Sequence, residues 1–170
     1  PEVGRNDHTM IVDDFEREYI VHAPEAALQS EAAPLVIFFH GSNHNGNLAY
    51  GLKDDGSLTD QDAGWREVAD ASGLIAVYPT ALNYCFREDD NGDGVIDSDD
   101  TPYIQEKWTV AKLGDPDRVA LCTPEEIAQI PEPDRSKVDH DRLEDRHFVD
   151  AMLEAKSGRS AAFQSQDSRF

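Results

Sequence analysis

The sequence predicts an α/β fold in which an opening hairpin leads into parallel strands, with a long insertion afterwards. Three observations predict it. Residues 9 to 23 alternate in polarity, residues 34 to 39 and 74 to 78 are continuous apolar runs, and helical spacing separates these two runs. Residues 81 to 138 then break the pattern. We therefore expect one domain over residues 1 to 170, interrupted by an insertion at 81 to 138.

The opening hairpin is predicted at residues 9 to 23. After Asp14, residues 17 to 22 place alternate side chains on two faces, which is typical of a strand. Asp13 and Asp14 are suited to the turn between two strands. Pro24 ends the second strand, and residues 25 to 33 form a polar, alanine-rich connector.

A strand–helix–strand unit is predicted next. The apolar run at 34 to 39 fits a strand buried on both faces, and a Gly/Asn-rich loop follows it at 40 to 47. Helical spacing at 62 to 72 ends at Gly73, and residues 74 to 78 form a second buried strand, closed by Pro79. Such units build parallel sheets. A last amphipathic helix is expected at about 141 to 155, and residues 157 to 170 carry no predicted element.

The charge balance restricts the partners. Fifteen Lys and Arg against thirty-five Asp and Glu give a net charge of −20. Nucleic acid and anionic membranes are poor partners for this surface because both are bound through cationic side chains. No apolar run is long enough to cross a bilayer. The chain begins at Pro1, which favours a trimmed N-terminus, and we expect a secreted or periplasmic protein.

Two cysteines, Cys85 and Cys122, lie within the insertion. In an exported protein this pair is expected to form a disulfide that closes a long loop. The alternative is two free thiols.

Residues 89 to 100 have the spacing of an EF-hand calcium loop. Gly94 stands where such a loop turns sharply, and Ile96 is its apolar anchor. Position 12 is an Asp in place of the usual Glu, as in the dockerin-type loops that this stretch resembles. The alternative is an acidic disordered turn. The predicted ligands offer Ca²⁺ side-chain oxygens or, at Val95, a backbone carbonyl: Asp89, Asn91, Asp93, Val95, Asp97 and Asp100.

The flanks of this loop differ from those of a complete EF-hand. Pro102 follows it closely and disfavours an exiting helix. We therefore expect calcium to act as a structural clip that orders the insertion, not as a sensor that opens on binding.

Several segments together resemble the start of the polyhydroxybutyrate-depolymerase and feruloyl-esterase group of α/β-hydrolases. The resemblance covers residues 9 to 80 and 141 to 156 and excludes the calcium loop. It implies a carboxylic ester hydrolase that works through a Ser-His-Asp triad. The segments that carry it follow one another in the family's order: REYIVHAP at 17 to 24, PLVIFFHG at 34 to 41, residues 65 to 70, GLIAVYP at 73 to 79 and DRHFVDAM at 145 to 152.

The same resemblance assigns the loop after the first buried strand to the oxyanion hole. Ser42 is the candidate donor through its backbone N–H, and Gly41 lets the backbone approach the substrate. Asn43 is a candidate substrate contact. His40 is expected to orient the loop, not to act as a base.

The family's nucleophile motif, Gly-x-Ser-x-Gly, does not occur in this chain. The stretch GRSAA at 158 to 162 lacks the second glycine and follows a helix, so we reject it. The triad is therefore expected in further sequence or in a second polypeptide, and this chain alone is expected to be inactive.

Trp108 is a further candidate for substrate binding, and its alternative role is local core within the insertion. A rival to the esterase hypothesis is a non-catalytic, acidic calcium-binding module for adhesion or assembly. That module would bind a partner in a calcium-dependent way and would show no esterase activity.

Overall fold

The computed structural model describes residues 2–53, 55–109, 115–139 and 144–157. Its first sheet has the strand order β1-β2-β4-β3. The β1–β2 and β2–β4 pairs are antiparallel, and the β3–β4 pair is parallel. The four strands are β1 (Gly4–Val12), β2 (Phe15–Ala23), β3 (Leu35–Ile37) and β4 (Ile75–Pro79).

The hairpin β1–β2 follows from its turn. Val12 pairs with Phe15, and Asp13 and Asp14 both have positive φ, at 51° and 68°. Two successive positive φ values define the turn whose twist matches that of the flanking strands, and Asp tolerates this conformation. The predicted hairpin is present, and β1 begins five residues earlier than expected, at Gly4 instead of Thr9.

Helices cover both faces of this sheet. On one face, Tyr19, Val21 and Val77 pack against Phe148 and Met152 of a long helix. On the other face, the core contains Ile20 and Tyr78 together with side chains from two shorter helices. The helices are α1 (Glu25–Leu28), α2 (Gly46–Tyr50), α3 (Trp65–Ser72), α4 (Pro124–Ile127) and α5 (Asp145–Ser157), and Arg135–Lys137 forms a 3₁₀ turn.

The second sheet lies in residues 82 to 139 and is built around β5. Strand β6 pairs with one edge of β5 in antiparallel fashion, and β7 also pairs antiparallel with β5. Strand β8 runs parallel to β5. Tyr84, Phe86 and Val119 form its buried core. The strands are β5 (Leu82–Arg87), β6 (Tyr103–Lys107), β7 (Ala120–Leu121) and β8 (Val138–Asp139).

The predicted α/β class is wrong. The described residues form two sheets in which most strand pairs are antiparallel, and several of the helices span a single turn. The apolar run at 34 to 39 suggested a strand buried on both faces, but β3 has three residues and its Leu35 is partly exposed at the end of the strand order. The predicted irregular insertion contains most of the second sheet.

Other local predictions agree with the structure. Helix α3 ends at Gly73, which has a positive φ of 65° and donates its N–H to the carbonyl oxygen of Ala69. Strand β4 covers the second apolar run. Helix α5 occupies the expected late helix, although residues 140 to 143 and 158 to 170 lie outside the described residues, and with them the rejected GRSAA stretch.

Candidate functional site

His40 anchors the loop that follows β3. The residue is 3% exposed, and both ring nitrogens are engaged by backbone groups. The N–H of Ala81 donates to Nε2 at 3.0 Å, and Nδ1 lies 2.8 Å from the carbonyl oxygen of Gly41. Because the amide of Ala81 has a proton to donate, Nε2 must be the acceptor and the ring proton sits on Nδ1. His40 is therefore a neutral structural residue that joins this loop to the start of the second sheet.

Burial keeps His40 neutral. Desolvation lowers the pKa of this imidazole below its usual value, and the hydrogen bond with Gly41 opposes this shift. A general base needs a free lone pair that faces the substrate. His40 has none, because its acceptor nitrogen already binds Ala81. The geometry is thus that of a residue that orients the loop.

The second sheet holds the same loop from the other side. The indole Nε1 of Trp108 donates to the carbonyl oxygen of His40 at 2.9 Å, and its ring contacts the rings of Phe39 and His40. The side-chain amide of Gln105 donates to Oδ1 of Asn43 at 2.5 Å. Trp108 also packs against the core of the first sheet. Its part in the site is to support the loop, and its indole N–H points at a backbone carbonyl.

The loop at residues 40 to 43, which these contacts hold in place, exposes a short stretch of its backbone. Gly41, Ser42 and Asn43 are exposed, and Asn43 adopts a left-handed conformation with φ of 62°. Asn45 then caps α2 by accepting the N–H of Leu48 at 2.9 Å. Within the described residues, no hydrogen bond uses the backbone N–H of Ser42. The candidate oxyanion donor is therefore available to an external acceptor.

The predicted calcium loop connects β5 to β6 at the tip of their hairpin. Its acidic side chains fold back onto the loop's own amides. Asp89 accepts the N–H groups of Gly92 and Gly94, at 2.6 and 3.0 Å. Asn91 accepts from Asp93, and Asp93 accepts from Val95, each at 2.8 Å. These bonds pre-form the loop and leave each carboxylate with further lone pairs.

Asp100 closes the loop. It is 2% exposed, and its carboxylate accepts the N–H groups of Asp90 and Asp97 at 3.0 and 2.9 Å. The backbone N–H groups around this carboxylate, first that of Asp97, lower its pKa. Arg87 of β5 donates to the carbonyl oxygen of Asp100 at 3.1 Å and also binds Glu126 at the start of α4. Position 12 of the loop is thus fixed to the second sheet.

The donor set fits a hard cation, because every predicted ligand offers oxygen. Strands, not helices, flank the loop on both sides, in keeping with the expectation from Pro102. In the described parts of the chain, no three carboxylate, histidine or cysteine side chains come together as a metal-binding cluster. The predicted ligands are therefore arranged along the loop and would have to turn inwards around an ion.

Cys85 and Cys122 form a disulfide with their Cα atoms 5.3 Å apart. The bond joins β5 to the segment after β7, where the N–H of Cys122 also donates to the carbonyl oxygen of Cys85 at 2.9 Å. A disulfide is compatible with an extracellular location. Of the helices that the structure describes, none has the length and apolarity needed to cross a membrane.

Sequence reasoning missed the supports of the loop. Ala81 and Gln105 lie 41 and 62 residues from their partners, and no local pattern marks either of them. It also missed Arg17, which binds Asp145 across 128 residues in a buried ion pair. Comparison with known proteins adds no further assignment: no protein-family model, no curated protein and no solved structure matches this chain.

Proposed function

We propose that this chain is the calcium-stabilised, oxyanion-binding part of an exported carboxylic ester hydrolase. The observation that carries the proposal is the loop at residues 40 to 43. A neutral, buried His40 and the indole of Trp108 hold its backbone, and Ser42 is exposed, with its N–H in no hydrogen bond among the described residues. An unused backbone donor on a supported loop is what stabilisation of a developing oxyanion requires.

In the proposed reaction, a serine carried by further sequence or by a second polypeptide attacks the ester carbonyl. The carbonyl oxygen becomes negatively charged in the tetrahedral intermediate, and the N–H of Ser42 donates to it. Because the loop is already held in place, it needs little rearrangement as this charge develops. One such donor contributes about 100- to 1,000-fold in kcat.

Calcium has a structural part in this proposal. The ion would be held by oxygens of residues 89 to 100, in the loop that joins β5 to β6, whereas Gln105 lies in the middle of β6 and Trp108 follows its last residue. It would neutralise part of the loop's negative charge and stabilise the hairpin. Extracellular fluids supply calcium, and the disulfide suits an oxidising compartment, so both features support export.

The experiment has two steps. Intact-mass spectrometry of the protein purified from its native source identifies the sequence that continues or accompanies the chain. The assembly is then assayed with p-nitrophenyl butyrate. Ser42→Pro removes the backbone N–H and should lower kcat by about 100-fold or more, whereas Ser42→Ala keeps the N–H and should stay near wild type. Equal activity of the two variants, at matched thermal stability, would refute the oxyanion role.

A second candidate function is a non-catalytic calcium-binding module for adhesion or assembly. The exposed position of the loop favours it, since Val95 at its tip is 54% exposed and the chain carries a net charge of −20. This candidate predicts calcium-dependent binding of a partner and an assembly without ester hydrolysis. The same p-nitrophenyl assay therefore separates the two candidates.

A further inference from the structure

Arg17 and Asp145 form an ion pair in the interior of the molecule. Arg17 belongs to the central strand β2, and Asp145 is the first residue of α5. Their closest atoms are 2.6 Å apart, and their side chains are 1% and 5% exposed. The guanidinium also lies 4.2 Å from the ring centre of Phe148. Such a pair adds little net stability compared with apolar side chains of the same size, so its presence calls for another explanation.

Asp145 uses its other oxygen to hold the end of the second sheet. Its Oδ2 accepts both the backbone N–H and the hydroxyl of Thr109, the latter at 2.9 Å. The N–H of Asp145 donates back to the same hydroxyl at 3.0 Å. Three hydrogen bonds therefore join Thr109 to the first residue of α5, and the ion pair with Arg17 fixes the orientation of the carboxylate that accepts two of them.

Thr109 follows Trp108 directly, and Trp108 supports the candidate oxyanion loop through its bond to the carbonyl oxygen of His40. A continuous path thus runs from Arg17 through Asp145, Thr109 and Trp108 to His40. Apart from the peptide bond between Thr109 and Trp108, each step is a hydrogen bond or ion pair. The path joins β2, which lies between β1 and β4 in the first sheet, to the exposed loop.

We propose that Asp145, oriented by its buried ion pair with Arg17, is a positioning residue that fixes Thr109 and Trp108 through its hydrogen bonds to Thr109, and through them the loop that presents the N–H of Ser42. The catalytic consequence rests on the function proposed above. The positional claim concerns the chain itself and can be measured without catalysis.

The test uses Trp108 as a reporter. The chain has two tryptophans, so Trp65→Phe leaves Trp108 alone. In that background, Thr109→Val removes the hydroxyl but keeps the shape of the side chain and its backbone N–H. We expect the emission of Trp108 to shift to longer wavelength and exchange of the Ala81 amide, which binds His40, to accelerate about tenfold.

Two further variants and one reference amide show whether the changes are specific to loss of the Thr109 hydroxyl. Thr109→Ser keeps the hydroxyl and should restore both readouts. Thr59→Val removes a hydroxyl that likewise accepts a backbone N–H, here that of Gln61 at 3.2 Å, and should change neither. The amide of Val21, in the middle of β2, reports general loosening. If the Val21 and Ala81 amides accelerate equally, or if neither readout changes in Thr109→Val, the proposal is wrong.

The assembled protein separates this proposal from the one on which it rests. If the assembly hydrolyses esters, Thr109→Val should lower kcat about tenfold with little change in KM, because a displaced donor weakens transition-state binding. Unchanged kcat would overturn the catalytic part of the proposal. An assembly without any hydrolysis would overturn the esterase function, while the emission and exchange results would still decide the positional claim.

Discussion

Calcium should stabilise the folded chain by an amount that can be worked out from its loop. The predicted ligands include four carboxylates, Asp89, Asp93, Asp97 and Asp100, with the short Asp at position 12. This composition suggests a dissociation constant of about 10 μM, within the range of EF-hand loops. At 1 mM calcium, roughly 100 times that constant, binding to the folded state alone adds about 2.7 kcal/mol to the free energy of unfolding.

For a chain of this length, about 2.7 kcal/mol raises the melting temperature by roughly 5–10 °C. The assay is thermal unfolding followed by circular dichroism, with and without 1 mM calcium after treatment with a chelator. Asp89→Asn should lose most of the shift. Its amide oxygen can still accept the N–H of Gly92 or Gly94, so the calcium-free loop should keep its fold.

Asp55→Asn is the matched control. Asp55 is exposed, and its carboxylate, like that of Asp89, accepts a nearby backbone N–H, here that of Ser57 at 2.9 Å. It lies outside the predicted calcium loop. The variant Asp55→Asn changes the net charge by the same amount as Asp89→Asn. Non-specific screening of the −20 charge by calcium therefore affects both variants equally. A calcium shift below about 1 °C in the wild type, or an equal shift in both variants, would refute the calcium site.

Three further outcomes are expected. Reduction of the Cys85–Cys122 disulfide, whose cysteines are 37 residues apart, should lower the free energy of unfolding by about 4 kcal/mol in urea titrations. An unchanged urea midpoint would contradict this. Because burial lowers the pKa of His40 from 6.5, stability should be full above about pH 6.5 and fall as the pH decreases towards the folded-state pKa. Urea titrations of His40→Gln should show a free energy of unfolding that depends less on pH than that of the wild type. An unaltered pH dependence would contradict this prediction. Gly46→Ala places a Cβ 2.7 Å from the carbonyl oxygen of Tyr78 and should cost about 1–3 kcal/mol, measured by thermal unfolding. If Gly46→Ala melts at the wild-type temperature, the backbone around residue 46 relaxes at no cost and the prediction is wrong.

Local signals in the sequence predicted local structure well. The turn at Asp13 and Asp14, the stop at Gly73 and the buried strand β4 each depend on a few neighbouring residues. The fold class was wrong because strand direction and pairing depend on residues far apart in the chain. Strands β7 and β8 could not be predicted because two residues each are too few for any periodicity to be visible. Strands β5 and β6 lie in the stretch that was assigned to the insertion.

The candidate site likewise combines features that a local stretch of sequence predicts with contacts between residues far apart in the chain. The loop after the apolar run and the proposed oxygen ligands at 89 to 100 are each contiguous in the sequence, so both could be proposed from it, and the calcium site stays a prediction. The groups that hold the first loop could not be found in this way. Gln105 and Trp108 come from the second sheet, and Asp145 comes from α5, so their roles exist only once these elements have packed together.

The two segments that the sequence singled out, residues 40 to 43 and 89 to 100, are connected through the β5–β6 hairpin. Strand β5 begins directly after Ala81, whose amide binds His40, and β6 ends directly before Trp108. The calcium loop closes the other end. Gln105, which binds Asn43, is the middle residue of β6. Lys107, beside Trp108, also reaches Glu88, beside the predicted calcium loop, with Nζ 3.3 Å from Oε1. An ion in that loop would therefore act on the segment at 40 to 43 through these connections, by fixing β6, which carries Gln105 and leads into Trp108.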